Sequence, residues 1–469
     1  MAKRTTRKPA ALTNVRVRMY RQGLGDCFLL RFTYSADHVV HVVIDSGLVY
    51  GAKGGKATMQ EVASDIEQET GGHIDALVIT HEHYDHVSGF TQAREIWERM
   101  DIDAVWMAWT EDPDDDLAKA LRKDKGAKEQ AFFEGVSAYA SDAHFALDGN
   151  RMNHINGLMG FMGADLLSAS EGGKLTRAAM LAPLTGAGKR TPHYFKPGKL
   201  IKDIRGVNTY VLGPPYDEHK IKRANPTQDE AYGGSGNRVG FSNDASGPGS
   251  GRPFPAGVGI NIGPRSEGYD RAFRTHFGPE LEDPAWKRLP TTDASALEAL
   301  AMDLDNATNN TSLVLAFELP DQRVLLFAAD AQAGNWVSWH ELSWTKASTG
   351  HARVDATALL GRTVLYKVGH HLSHNGTLKD LGLELMEDPR LMALVPLDKK
   401  QAIDKGYGRT MPWPSLTKRL KERTRGRVFL SGPREKNPTA EDLTELSATE
   451  RKAFTANTTV TEGYIDIEL

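Results

Sequence analysis

The sequence has little or nothing of four features that would each define a class of protein. Its 469 residues include a single cysteine, Cys27, which excludes an internal disulfide, a zinc ribbon and a cysteine-ligated cluster. No apolar run approaches the ~18 residues of a membrane span, and residues 1–21 are basic without the apolar segment of a secretory signal. Neither sign of charge dominates, with 57 Lys and Arg against 61 Asp and Glu, which excludes a uniformly basic nucleic-acid-coating protein. We therefore expect a soluble, cytoplasmic, globular protein without a membrane partner.

The sequence does contain many short strand patterns. Between residues 15 and 109, alternating or β-branched apolar runs are bounded by glycine, acidic and turn residues, and a helical stretch at 59–69 lies between two of them. A second strand-rich block spans 204–431 and includes a hairpin pattern at 312–319 and 323–330. The order of these elements predicts a layered α/β fold in which the two blocks are halves of one core.

Two segments of different character interrupt the strand blocks. Residues 111–191 are rich in Ala, Leu, Met and charge at helical spacing, which predicts a helical insertion or cap. Residues 233–259 contain nine glycines and three prolines, which predicts a loop or lid. We expect both to cover the functional cleft. The predicted division is a basic tail (1–14), a first half-core (15–110), the insertion (111–191), core strands (192–221), the glycine- and proline-rich loop (222–275), a second half-core (276–431) and a C-terminal extension (432–469).

The sharpest chemical signal follows the buried-strand run 74–80. There the chain reads His81-Glu82-His83-Tyr84-Asp85-His86, which places four potential metal ligands within six residues. Imidazole and carboxylate groups are the ligands that zinc, iron and manganese take in proteins. Any one of these histidines alone would be typical of an exposed polar turn, but the set together predicts a metal site at the end of this strand.

This H-x-H-x-D-H run resembles the signature of the metallo-β-lactamase superfamily. The resemblance spans about residues 15–431, without the insertion and the glycine-rich loop, and implies a four-layer αββα sandwich. Three further landmarks occur in the order that the superfamily has. They are Asp45 after the strand VVI, expected to orient a metal-binding histidine, Asp330 at the end of RVLLFAAD as the bridging acid, and His370 in LYKVGHH as the late ligand.

Within the superfamily, three segments look most similar to the soluble hydrolase domain of ComEC-type competence proteins and their free-standing relatives. They are GLGDCFLL (23–30), NNTSLVL (309–315) and VGHHLSHNGT (368–377). The typical His-His-Gly-Ser of those proteins is replaced here by residues 370–373, His-His-Leu-Ser. The third histidine that many members use for the first metal is replaced by residues 309–312, where Asn310 offers a carbonyl oxygen or holds a water. Elsewhere in the chain, His154, His193 and His276 are each more typical of surface or internally satisfied histidines.

The resemblance therefore implies an unequal pair of metal sites. The second site, formed by Asp85, His86 and His370 with Asp330, has a full ligand set. The first site, formed by His81 and His83 with Asp330, lacks one ligand and is expected to be empty or to hold manganese or water-rich zinc. The expected cofactor is one or two zinc ions, with manganese as the alternative. A bound zinc lowers the pKa of its water to about 7, so hydroxide is available as the nucleophile at neutral pH, and Asp85 would orient it.

The substrate is less constrained by the sequence. His371, Ser373 and His374 are candidates for substrate contact or leaving-group protonation, and the alternative is that they cap the following turn. The resemblance favours a phosphodiester, in a nucleic acid or a nucleotide, and basic clusters at 189–205 and 399–427 either bind phosphate or are solvated helix faces. Hydrolysis of a lactone, thioester or amide, and a non-catalytic metal-binding regulatory role, remain the alternatives. The expected partner is therefore a small-molecule, nucleotide or nucleic-acid substrate, and the sequence does not say whether the chain binds another protein.

Overall fold

The computed structural model describes residues 11–140, 149–165, 172–184, 191–233, 294–350, 353–407, 411–435 and 437–469. Strands and helices are numbered in chain order. The helices are α1 (Gly55–Thr70), α2 (Tyr84–Gln92), α3 (Arg94–Arg99), α4 (Asp116–Ala140), α5 (Gly149–Phe161), α6 (Gly172–Leu181), α7 (Glu218–Ile221), α8 (Ala294–Asn309), α9 (Ala333–Trp339), α10 (Lys346–Thr349), α11 (Ala356–Gly361), α12 (Lys399–Asp404), α13 (Pro414–Arg423) and α14 (Ala448–Ala456). Within these ranges, no helix has the length and apolar content that crossing a membrane requires.

Two large sheets contain nearly all the strands. The first has the order β16-β17-β1-β2-β3-β4-β5-β6. Its strands are β1 (Asn14–Tyr20), β2 (Cys27–Ser35), β3 (His38–Ser46), β4 (His73–Ile79), β5 (Asp101–Ala108), β6 (His193–Phe195), β16 (Thr458–Val460) and β17 (Tyr464–Glu468). The second has the order β15-β14-β13-β10-β9-β8-β7. Its strands are β7 (Leu200–Ile201), β8 (Asn208–Gly213), β9 (Val314–Glu318), β10 (Val324–Phe327), β13 (Thr363–Lys367), β14 (Met392–Val395) and β15 (Val428–Leu430). A small separate sheet pairs β11 (Ser343–Trp344) with β12 (Val354–Asp355).

The sheets stack face to face with helices on both outer sides. Alternation along each strand sends one set of apolar side chains between the sheets, where the rings of Phe28 and Phe327 meet edge to face at 5.4 Å. The opposite set on the first sheet packs against α1, α2 and α3, for example on Trp97. The outer face of the second sheet packs against α9, α11 and α13, for example on Trp336. The prediction of a four-layer αββα sandwich is confirmed.

The two ends of the described chain meet in the first sheet. Residues 432–469, expected as a C-terminal extension, supply β16 and β17, and β17 pairs antiparallel with β1. The buried guanidinium of Arg18 on β1 donates two hydrogen bonds of 2.7 Å to the carboxylate of Asp466 on β17. This segment is therefore part of the core sheet.

The insertion contributes helices, and α4 and α5 pack against α8 through buried residues such as Phe132, Ile155 and Leu304. The expected loop at 233–259 lies, apart from Gly233, outside the described residues.

In each large sheet, two neighbouring parallel strands end beside the residues of the candidate site. In the first sheet β3 and β4 run parallel, and in the second β10 and β13 do. Parallel strands present their carboxyl ends at one edge of a sheet, which is where ligands bind in many α/β proteins. Asp45 lies at the carboxyl end of β3, and the segments leaving β4, β10 and β13 carry His81, Asp330 and His371.

Candidate metal centre

The turn after β4 is held by close backbone packing. His83 precedes the first residue of α2, so Asp85 and His86 lie in the first turn of that helix. The backbone N–H of Asp26, in the loop between β1 and β2, donates to the carbonyl of Asp85 at 3.0 Å. A Cβ on Gly47 would lie 2.1 Å from the carbonyl carbon and oxygen of Asp85, so only glycine allows the segment after β3 to approach this closely.

Asp45 fixes the orientation of His86. Its Oδ2 lies 2.8 Å from Nδ1 of His86, and the same carboxylate accepts hydrogen bonds from the backbone N–H and the hydroxyl of Thr80 at 2.8 and 2.6 Å. A carboxylate only accepts, so Nδ1 carries the proton and Nε2 presents a lone pair to the cluster. Asp45 holds this position with a φ of 56°, in the left-handed region.

Four buried side chains meet around one point. Nε2 of His371 lies 2.9 Å from Oδ2 of Asp85 and 3.1 Å from Oδ2 of Asp330. Nε2 of His86 lies 3.8 and 3.3 Å from the same two oxygens. Ligand atoms ~2.1 Å from a tetrahedral ion are about 3.4 Å apart, so these separations suit a shared cation.

His81 and His83 lie beside this group. Their rings meet edge to face at 4.9 Å, and the ring of His81 lies 4.1 Å from that of His86. Nδ1 of His81 is within 3.1 Å of the Thr80 hydroxyl and 3.3 Å of the Ser312 hydroxyl, so its Nε2 is the nitrogen left to bind an ion.

The residues present fit a divalent metal. None of the following buried atoms has a hydrogen-bond partner in the described part of the chain: Nε2 of His81, His83, His86 and His371, and both oxygens of Asp85. Buried polar atoms without partners cost free energy, and a cation that accepts their lone pairs would recover that cost. Asp26, His86, Asp330 and His371 also each offer a ligand atom within 4.8 Å of the others.

The charge balance points the same way. Five carboxylates are buried around the centre, those of Asp26, Asp45, Asp85, Asp305 and Asp330. The buried ammonium of Lys367 lies 2.6 Å from Asp26 and 3.2 Å from Asp330. Burial alone would lower the pKa of His371, but Asp330 and Asp85 raise it to about 10. Burial lowers the pKa of His83 to about 3. The acidic side of the cluster therefore attracts positive charge that Lys367 alone does not supply.

The late histidine at the cluster is His371, whereas the expected ligand was His370. Residues 370, 371 and 372 have φ values of 44°, 48° and 65°, a left-handed turn that points successive side chains in different directions. Nδ1 of His370 lies 2.8 Å from the Ser373 hydroxyl and 3.0 Å from Oδ1 of Asn375, so this nitrogen is engaged within its own loop. Nδ1 of His371 lies 2.7 Å from the carbonyl of Pro396, which leaves Nε2 facing the carboxylates.

The other expected substrate contacts are hydrogen-bonded to nearby loops of the chain. Ser373 bonds to His370 and Asn375, and Nε2 of His374 lies 3.2 Å from Oδ1 of Asn225. Asn310 uses both ends of its amide on the backbone, donating to the carbonyl of Arg223 at 2.9 Å and accepting from the N–H of Gln332 at 3.0 Å. None of these groups points its polar atoms at the carboxylate cluster.

The lone histidines lie apart from the cluster. Nδ1 of His154 is 2.6 Å from Glu298, His193 is exposed, and His276 lies outside the described residues.

Four residues at the centre were not singled out from the sequence: Asp26, Phe161, Asp305 and Lys367. Phe161, at the end of α5, stacks on the rings of His83 and His371 at 5.9 and 6.3 Å, so the insertion covers the cluster. A signal for Lys367 was present, because it is the charged residue in the otherwise uncharged strand TVLYK. Asp26 lies in GLGDCFLL (23–30), one of the segments that resemble ComEC-type domains. The sequence pattern of α8 contained no comparable signal for Asp305.

Comparison with known proteins supports this interpretation of the turn. Residues 21–98 match the family model of the metallo-beta-lactamase superfamily. The matched segment includes Asp26, Asp45 and the run from His81 to His86. The superfamily consists mostly of metallohydrolases, which supports an enzyme of that general kind, and divalent metals, often zinc, are its cofactors. No curated protein shows a significant match to the chain. The closeness to ComEC-type proteins stays a prediction.

Proposed function

We propose that this protein is a metal-dependent hydrolase whose substrate is a phosphodiester. The proposal of a metal-dependent hydrolase rests on six buried side chains of the types that bind metals. Each has a buried atom without a hydrogen-bond partner or lies in close contact with another of the six. They follow the ends of three strands, β4, β10 and β13: His81, His83, Asp85, His86, Asp330 and His371. The arrangement fits one or two divalent ions, with zinc as the proposed metal and manganese as the alternative.

The residues of the chain have separable tasks in this proposal. The imidazoles of His86 and His371 and the carboxylates of Asp85 and Asp330 would hold an ion, and His81 and His83 would hold a second. A bound divalent ion supplies Lewis acidity and acidifies water, so no serine or cysteine nucleophile is needed. Asp85 has two oxygens without hydrogen-bond partners, so one can orient the attacking water and accept its proton. Phe161 limits the access of bulk water.

Two observations support a phosphodiester as the substrate. One is the resemblance of residues 23–30, 309–315 and 368–377 to ComEC-type hydrolase domains. The other is the ammonium of Lys125 in the small pocket beside His83, a pocket that Glu82, Glu129, Thr176 and Thr308 also line. Lys125 is half-buried beside the metal ligands, where its ammonium would attract an anionic group of the substrate more than a neutral lactone. Lys125 is engaged with Glu82 and lies 3.6 Å from Glu129, so a phosphate would compete for it.

The basic cluster near the C-terminal end of the core adds no support. Arg419, Lys421 and Arg425 are paired with Glu384, Asp442 and Glu450. Arg427 is buried and donates to the backbone carbonyls of Thr424 and Pro389. These cations stabilise the fold around α13, which leaves Lys125 as the cation proposed to meet the phosphate.

The test is an assay of purified protein, stripped of metal and then supplied with zinc or manganese. Turnover of a bis-nitrophenyl phosphodiester supports the proposal, whereas turnover only of a lactone, thioester or amide overturns the substrate class. Bound metal with no turnover of any of these would point to a regulatory relative, and absence of metal binding would overturn the whole proposal. His371→Ala should abolish turnover, and His193→Ala, which changes an exposed histidine on β6, is the matched control.

A further inference from the structure

The carboxylate of Asp305 faces the imidazole of His83 across a buried gap. Asp305 lies in the last turns of α8, and its Oδ1 is 3.8 Å from Nε2 of His83. Both atoms are buried, and neither has a hydrogen-bond partner in the described part of the chain. On this juxtaposition, and resting on the proposed function, we infer that Asp305 supplies the ligand that the first metal site lacks, in place of the missing histidine.

The contact is not that of a hydrogen-bonded pair. A separation of 3.8 Å exceeds hydrogen-bond distance but suits two ligands that share one ion. Asn309 donates to Oδ2 of Asp305 at 3.1 Å, one helical turn further along α8. This bond fixes the carboxylate and leaves Oδ1 facing His83. Asp305 is thus positioned as ligands are, with one oxygen held by a neighbour and the other open.

Asn310, which the sequence offered in place of the missing histidine, is not available as a ligand of the first metal site. Both ends of the Asn310 amide are bonded to the backbone, as described above. The amide nitrogen of Asn309 donates to Asp305 and also lies 3.3 Å from Nε2 of His370. Asp305 is therefore the side chain of this region that reaches the first site.

The inference changes the ligand chemistry of that site. His81, His83 and Asp305 give two imidazoles and a carboxylate, to which Asp330 adds a second carboxylate from the other site. Carboxylate oxygens suit manganese better than a third imidazole does, whereas imidazole suits zinc. We expect the first site to accept manganese readily, and Asp305→His to shift it toward zinc.

Metal stoichiometry and affinity test the inference without relying on activity. The full chain is stripped with chelator and reloaded with zinc or manganese. Bound equivalents are then measured by elemental analysis, and affinities by calorimetry. The variants are Asp305→Asn, Asp305→His and the control Asp303→Asn, which changes an exposed residue of the same helix that pairs with Lys128 at 2.8 Å. Circular dichroism establishes that each variant is folded.

We expect two equivalents in the unaltered chain and in Asp303→Asn. Asp305→Asn should lose one equivalent, or weaken one binding step by about tenfold or more, by comparison with the 10–100-fold cost of losing a supporting residue. Asp305→His should restore the second equivalent with zinc. Two equivalents of unchanged affinity in Asp305→Asn would overturn the inference and leave the proposed function standing. An unaltered chain that binds no metal would overturn both.

Discussion

Nζ of Lys367 lies 2.6 Å from Oδ2 of Asp26, and both side chains are almost fully buried. The same ammonium lies 3.2 Å from Oδ1 of Asp330 and donates to the carbonyl of Ala329 at 2.7 Å. It therefore neutralises part of the acidic cluster and turns Oδ2 of Asp330 toward His86 and His371. Lys367 holds a bridging carboxylate in place without itself being a ligand.

Removing this ammonium should be costly. Lys367→Met leaves Asp26 and Asp330 without their buried counter-charge, so we expect the free energy of unfolding of the metal-free protein to fall by about 3–5 kcal/mol. Urea denaturation with and without zinc measures this, and bound metal should reduce the loss. Lys123→Met, at an exposed position of α4, is the control. A loss below about 1 kcal/mol would mean that the two acids are not charged in the folded state.

The two adjacent histidines should respond differently to substitution. His371→Ala removes a nitrogen that faces both Asp85 and Asp330, and we expect it to lose bound metal and at least about a hundredfold in hydrolysis rate. His370→Ala breaks bonds to Ser373 and Asn375, and we expect it to keep its metal while losing about 1–3 kcal/mol of stability. Elemental analysis of the two variants side by side separates these roles. The reverse pattern would restore His370 as the ligand.

The orienting carboxylate can be tested without disturbing the backbone. Asp45 has a φ of 56°, and asparagine is the other side chain that adopts this conformation readily. Asp45→Asn places an amide where His86 and Thr80 both donate, so we expect metal affinity to fall about 10–100-fold. Competition with a chelator provides the measurement, and Asp37→Asn, in an exposed turn, serves as the control. Unchanged affinity would show that Asp45 does not set the orientation of His86.

The packing at Gly47 gives a backbone prediction. A Cβ there would lie 2.1 Å from the carbonyl of Asp85 and 2.3 Å from the N–H of His86, so Gly47→Ala must displace the turn that carries both residues. We expect a loss of about 1–3 kcal/mol in stability together with weaker metal binding. Gly126→Ala, where a Cβ meets open space on α4, should instead stabilise the protein by up to about 1 kcal/mol. Thermal unfolding and elemental analysis compare the two.

The ion pair of Arg419 with Glu384, outside the candidate metal centre, predicts that the stability of the fold depends on pH. Nε and Nη2 of Arg419 donate to the carboxylate of Glu384 at 2.7 and 2.6 Å, with further help from Tyr232, and hold the pKa of Glu384 at about 2. Because the folded pKa lies below the ordinary value of about 4.3, the pair stabilises the fold above that pH. This stabilisation is lost as the pH falls toward 2.

The matching variant is Glu384→Gln. After allowance for partial exposure of the pair, we expect it to lower the free energy of unfolding by about 1 kcal/mol at pH 7 and by less at pH 3. Denaturant titrations at both pH values measure the difference, with Glu387→Gln at an exposed position as the reference. An equal loss at both pH values would show that charge is not the source.

The residues of the centre that are neighbours in sequence could be predicted from the sequence. The contacts that depend on how distant segments pack could not. The run from His81 to His86 stands out because its ligands are neighbours in sequence, and the resemblance to the superfamily then pointed to Asp45 and Asp330 at the ends of apolar runs. The choice between His370 and His371 depends on three consecutive left-handed residues, which no propensity predicts for His, His and Leu. Asp305 reaches His83 only because α8 packs beside the cluster, and its helical pattern contains no trace of that contact.

The pairing of β17 with β1 has a consequence for how the chain acquires its structure. Arg18 and Asp466 are 448 positions apart, yet their buried bond joins adjacent strands of one sheet. A ribosome delivers β1 long before β17, so the edge of β1 stays open throughout synthesis. Contacts of such separation slow folding, because the ends of a very long loop must first find each other. Because this contact forms late, Asp466→Asn should mainly accelerate unfolding in denaturant and leave the refolding rate little changed.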